Sequence, residues 1–156
     1  MFPTGERQTG AGTAVISRYV SRKYLRVCSS EEGMDPIMNF IFVALGGTVG
    51  ACARYAISLI PVKSQFPILT LITNLLGALL IGFIVGIAES RKVSKNTILF
   101  LKTGVCGGFT TFSTFSLEAY SILSTRNYGL CGLYVALSVA GCIAGVCCGK
   151  KLAALL

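Results

Sequence analysis

The segment Gly104–Glu118, GVCGGFTTFSTFSLE, gathers three glycines, five hydroxyl side chains, three phenylalanines spaced three apart and a carboxylate. Gly104, Gly107 and Gly108 followed by Thr110 and Thr111 are poor material for a continuous helix. Glycine costs about 1 kcal/mol relative to alanine there, and threonine is stiff at χ1. A break at membrane depth releases backbone carbonyls and amides, which is tolerated only where the backbone is buried in protein or lines a polar cavity. Released carbonyls can hold a cation, and helix N-termini attract anions. A plainer use of the glycines is a close-packing face between helices; the density of Thr and Ser favours the ion site. Phe112 and Phe115 fall three apart on one helical face. Their ring edges attract an anion and their faces a cation, and two rings at that spacing also serve ordinary packing.

Polar residues elsewhere in apolar surroundings extend the set. Asn74 lies within Thr70-Leu-Ile-Thr-Asn-Leu-Leu-Gly77, where an amide either bonds between helices or donates to an anion. Ser138 and Cys142 are i, i+4 on one face, with Tyr134 one turn earlier; small polar glue between helices is the simpler use of all three. Arg54 and Lys102 either snorkel to the interfaces or draw anions into a vestibule. Glu118 is costly if it lies near a bilayer centre, roughly 2.5–3.5 kcal/mol on insertion scales, and cheap near a helix end.

The elements that must position these residues follow from composition. Of 156 residues 53% are hydrophobic and 13% charged, with no histidine or tryptophan, and the mean hydropathy is +0.73. A soluble domain carries roughly 25% charged residues, so a membrane protein is expected. Four apolar segments, about 39–60, 66–88, 97–123 and 128–149, are each roughly 20 residues or more, enough to cross about 30 Å of hydrocarbon as helix. Short polar connections leave no room for a soluble domain. The expected fold is therefore an all-α integral membrane protein of four transmembrane helices, over residues 38–156, with the third helix broken near its middle.

Residues 1–37 form a polar, basic leader without the apolar core of a signal peptide. An interfacial helix would place Ile16, Val20, Tyr24 and Val27 on one face; a disordered tail, or an upstream start ahead of Met34 or Met38, is the simpler expectation. Arg91, Lys92, Lys95, Lys150 and Lys151 on one face oppose Lys63 and Arg126 on the other, which favours both termini in the cytoplasm. The net charge of +8 is explained by these helix ends rather than by nucleic acid. Six of the seven cysteines fall in apolar stretches without CxxC pairs and are read as small packing residues. No P-loop or catalytic motif is present, so no enzyme is expected.

Gly104-Val-Cys-Gly-Gly-Phe-Thr-Thr-Phe-Ser-Thr-Phe-Ser116, with Gly46-Gly-Thr-Val-Gly-Ala-Cys-Ala-Arg-Tyr55 and Asn74-Leu-Leu-Gly77, closely resembles the signature of the CrcB/Fluc fluoride channel family, over about residues 38–150. The resemblance implies an antiparallel, dual-topology dimer of four-helix subunits in the cell membrane, plasma or bacterial inner, built as a homodimer or a paired-subunit heterodimer. Two fluoride pathways and a structural sodium ion at the dimer centre come with it. It implies that the carbonyls of Gly107 and Thr110 hold the sodium, that Phe112 and Phe115 form the phenylalanine box, and that Asn74 donates to the anion. Thr114, Ser138 and Cys142 fall on the polar track with Tyr134 nearby; Glu118 stands near a pore mouth and Arg54 on the first helix. Cys142 replaces a frequent serine, and Leu69-Thr70 a usual Gly-Thr. The function implied is passive, electrodiffusive export of fluoride that relieves its toxicity. The competing expectations are a proton-coupled small-multidrug-type transporter using Glu118 and a non-transporting membrane scaffold.

Overall fold

A computed structural model describes residues 36–156, and the leader expectations lie outside the described residues except at Pro36 and Ile37. Helix α1 spans Pro36–Ser58 and α2 spans Ile68–Ser90. A third segment begins with α3, Lys95–Ile98, continues as a π-helical stretch, Leu99–Cys106, and ends its first half with α4, Gly107–Phe109. After two residues outside any helix, α5 spans Phe112–Ser124, and α6 spans Tyr128–Ala154.

Local chemistry sets these limits. Pro36 opens α1, where a residue lacking an N–H forfeits no helical bond. Ser94 caps α3 by accepting from Thr97 N at 3.2 Å, and Asn127 caps α6 by accepting from Leu130 N at 3.2 Å. Against the expected 128–149, α6 runs on through Lys150 and Lys151 to Ala154. Lysine is a good helix former with a charge suited to a helix C-terminus, so the two lysines end the apolar stretch without ending the helix. Nothing in Leu99–Cys106 signalled π winding at the level of sequence.

Three helices, α1, α2 and α6, are long and apolar enough to cross a membrane. Their large side chains point outward: Phe40 and Leu45 on α1, Leu76 on α2 and Ile143 on α6 are all exposed. Such a surface suits lipid. The buried core is small, centred on Phe115, Ile122 and Tyr134 with Phe66, Leu71 and Leu130 against it.

Helices with apolar surfaces on all sides gain little from burying them against one another in lipid, so close backbone approach carries the packing. It occurs along two seams. The larger joins α2 to α6, and the second joins α1 to the π-helical stretch and α4. At the first, a Cβ on Gly149 would lie 2.7 Å from Phe83 N. At the second, a Cβ on Gly104 would lie 2.8 Å from Gly46 Cα. At one end of the bundle Lys150 Nζ pairs with Glu89 Oε2 at 2.9 Å.

The cysteines divide differently from the packing role expected of them. Cys106 is buried and Cys131 and Cys142 are half-buried, but Cys52, Cys147 and Cys148 are exposed on the described surface. A membrane helix is apolar on its lipid face as well as its packed face, so apolar context alone does not separate the two.

The seams give a stability prediction. Gly149→Val should destabilise the folded protein in detergent by about 1–3 kcal/mol, the usual cost of forcing atoms into a packed contact. Gly132→Val, on the same helix with open space around it, should be nearly neutral. Thermal unfolding followed by size-exclusion chromatography compares them.

Candidate functional site

The site is organised by the interruption at Thr110 and Thr111. The Cys106 carbonyl accepts both the Thr110 N–H, at 3.0 Å, and the Thr110 hydroxyl, at 2.9 Å. The backbone then turns extended, with ψ 157° at Thr110 and φ −149° at Thr111. In an unbroken helix Thr111 N–H would bond the Gly107 carbonyl. Here it donates to Asn74 Oδ1 at 2.9 Å, while Asn74 Nδ2 donates to the Thr111 carbonyl at 3.1 Å. Thr114 N–H, which would bond the Thr110 carbonyl, donates instead to Thr111 Oγ1 at 3.2 Å, so Thr111 caps α5. The carbonyls of Gly107 and Thr110 thus lose their helical donors, and among the described residues neither receives another. Arg54 Nε donates to the neighbouring Gly108 carbonyl at 3.2 Å.

An open groove of about 640 Å³ runs beside the break between α2, the third segment and α6. Asn74, Gly107, Thr110, Phe112, Phe115, Ser138 and Cys142 all line it. Phe115 is buried and Phe112 is 78% exposed, their centroids 5.5 Å apart and their planes inclined by 40°. Tyr134 stacks beyond Phe115 at 5.2 Å, and Phe66 meets Tyr134 edge-on at 5.5 Å. Ser138 Oγ is buried without a hydrogen-bond partner among the described residues. A buried hydroxyl in that state is a standing cost unless something enters to meet it.

A smaller cavity of about 70 Å³ lies on another side of the break, lined by Arg54, Thr70, Thr73, Thr111 and Thr114 among others. Beside it Glu118 is held by two hydroxyls. Thr70 Oγ1 donates to one carboxylate oxygen at 2.7 Å, and Tyr134 OH to the other at 2.7 Å. Thr111 Oγ1 also donates to Thr114 Oγ1 at 3.0 Å.

The structure therefore brings the expected site residues to one region in three groups. Asn74, Phe112, Phe115, Ser138 and Cys142 share the groove with Gly107 and Thr110. Arg54 and Thr114 face the small cavity, and Glu118 with Tyr134 forms a hydrogen-bonded pair that lines neither. Asn74 spends its oxygen and one N–H on Thr111, which leaves one N–H for a ligand. Sequence reasoning passed over Thr70 and Thr73 and underused Thr111. A threonine just ahead of the helical run from Phe112 is an N-cap signal that could have flagged the last; no local signal pairs Thr70 with Glu118.

Comparison with known proteins bears on what this arrangement is. Residues 41–150 match the family model described as CrcB-like protein, Camphor Resistance (CrcB). The chain is 44% identical over 127 residues to the fluoride-specific ion channel FluC of Clostridium perfringens, covering 79% of this chain and 99% of that protein. It is 47% identical over 118 residues to the protein of the same name from Desulfotalea psychrophila, covering 74% and 92%. Against that of Methanococcus maripaludis it is 43% identical over 113 residues, covering 72% and 93%. With its apolar helices, the chain is a multi-pass protein of the cell membrane. By the span and strength of these matches it belongs to the CrcB-like family.

Proposed function

We propose that the protein is a subunit of a fluoride-selective channel, carrying fluoride out of the cytoplasm by passive electrodiffusion and so relieving its toxicity. The observation that carries the reading is the groove. Phe112, Phe115, the Asn74 amide and the unpartnered hydroxyl of Ser138 all line it, and no carboxylate is among its lining residues. The name borne by its relatives, fluoride-specific ion channel, supports the same reading.

The physical problem is dehydration. Moving a carboxylate-sized ion into a low-dielectric medium costs of order 20 kcal/mol in the idealised case, and fluoride is smaller. A path that replaces water one contact at a time lowers that cost. Asn74 and Ser138 supply donors, and the rings of Phe112 and Phe115 turn partly positive edges to the anion. In the proposed arrangement the segment Lys95–Ser124 is a fourth, broken crossing. The open side of the groove, where Phe112 stands exposed, is closed by a second subunit, identical or paired, in antiparallel orientation. Irregular backbone at membrane depth calls for such a cover.

The released carbonyls of Gly107 and Thr110 fit a hard monovalent cation, since carbonyl oxygens without helical donors are the ligands broken membrane helices offer to sodium. Two carbonyls from each of two subunits would hold a structural sodium ion between them, where it offsets negative charge and joins the subunits. Glu118 does not favour a proton-coupled transporter: both its oxygens are engaged by hydroxyls, and nothing among the relatives points that way.

Purified protein in liposomes should release fluoride electrogenically while excluding chloride; flux that requires a proton gradient would overturn the reading. Phe112→Ile should lower fluoride flux at least tenfold, which is a loss of about 1.4 kcal/mol of stabilisation along the path, with the assembly intact by size-exclusion chromatography. Replacing sodium by N-methylglucamine on both sides should lower the thermal unfolding temperature and the flux together. Asn74→Leu should destabilise the fold by about 1–3 kcal/mol, because two half-buried backbone groups of Thr111 lose their partners.

A further inference from the structure

We infer that Lys102 is an anion-capture residue, an ammonium in the wall of the groove that concentrates anions there. The inference rests on the anion-channel reading and assigns it an electrostatic component. Lys102 is half-buried and lines the groove, and it is the sole charged side chain among the lining residues. It lies seven residues past Lys95, the start of α3, which is roughly 10 Å deeper along a helix. Among the described residues it has neither an ion-pair nor a hydrogen-bond partner, whereas Lys150 is paired with Glu89.

An ionisable residue inside a membrane segment is expensive and ordinarily has a partner. Among the described residues Lys102 has none, and the groove it lines also holds an unpartnered buried hydroxyl, Ser138 Oγ. Charge of one sign in a cleft with low-dielectric walls focuses the field into the cleft and raises the local concentration of counter-ions. A mobile anion thus completes both unmet groups in turn, the charge first and the hydroxyl after it. A lysine that merely snorkels to an interface would impose no such preference on the groove.

Cys142, native to the same groove and half-buried, is an internal probe. With the exposed Cys52, Cys147 and Cys148 replaced by serine, the full-length protein is treated with an anionic or a cationic methanethiosulfonate reagent. Modification of Cys142 is followed by mass spectrometry. The anionic reagent should react faster than the cationic one. Lys102→Gln should reduce that ratio roughly 5- to 10-fold at low salt, and Lys102→Arg should keep it. The advantage should shrink as ionic strength rises from about 10 mM to about 300 mM, as the screening length falls below about 10 Å. In liposomes Lys102→Gln should slow fluoride flux with the same salt dependence. An unchanged reactivity ratio in Lys102→Gln overturns the inference whatever the flux. A shifted ratio in a protein that carries no fluoride sustains the capture role and sinks the channel reading instead.

Discussion

Backbone amides and carbonyls inside hydrocarbon have no water to turn to, and each one left unmet costs several kcal/mol. With Lys95–Ser124 as the fourth crossing proposed above, that constraint governs the interruption at Thr110 and Thr111. The chain meets it with one side chain from another helix: Asn74 accepts from Thr111 N–H and donates to the Thr111 carbonyl. A single amide thus closes both ends of one exposed peptide residue, as a neighbouring strand would. Thr111 in turn caps α5 through its hydroxyl. The break leaves the carbonyls of Gly107 and Thr110 without donors, and beside them stand the first N–H groups of α5, of which Thr111 caps that of Thr114.

The two glycine seams serve that arrangement as much as they serve stability. With Gly104 against Gly46 and Gly149 against Phe83, the backbones approach to distances that any side chain would forbid. Two tight pairs of helices, joined less closely to each other, leave a groove between them rather than a filled core. The small buried cluster around Phe115 and Tyr134 meets it through Phe115. A soluble bundle would fill such a space with leucine to gain apolar burial. In lipid that gain is absent, so an unfilled, largely apolar groove with a few polar groups in its wall is cheaper to keep.

What could be read in the sequence was what depends on neighbours in sequence. The apolar segments came from composition, and their limits fell within a few residues of α1, α2 and α6, apart from the lysines that α6 absorbs. The interruption came from glycines and threonines in a run. Contacts made across the bundle were not legible. Thr70 and Glu118 are 48 residues apart, and Arg54 and Gly108 are 54 apart. Each pairing depends on how two helices are rotated about their axes, which seam packing decides. The same rotation turns Thr114 to the small cavity while Phe115, its neighbour, lines the groove. The π winding of Leu99–Cys106 adds a local change of phase that an α-helical wheel cannot anticipate.

Glu118 shows how a carboxylate can stand close to the proposed anion path without opposing it. A lone charge of that kind would repel any anion nearby and would itself be costly to bury. Its two oxygens each accept from a hydroxyl, on Thr70 and on Tyr134, and Tyr134 is wholly buried. Hydrogen bonds to a charged acceptor are about twice as strong as neutral ones, so the pair of hydroxyls offsets much of the burial cost. Both donors lie away from the groove lining, and Phe115 stands between Tyr134 and Phe112 in the line of rings. The carboxylate is thereby held by hydroxyls outside the groove lining, while Lys102 is among the lining residues. The two charges are met differently: the carboxylate by hydroxyls within the fold, the ammonium, in the role proposed for it, by the anions it draws in.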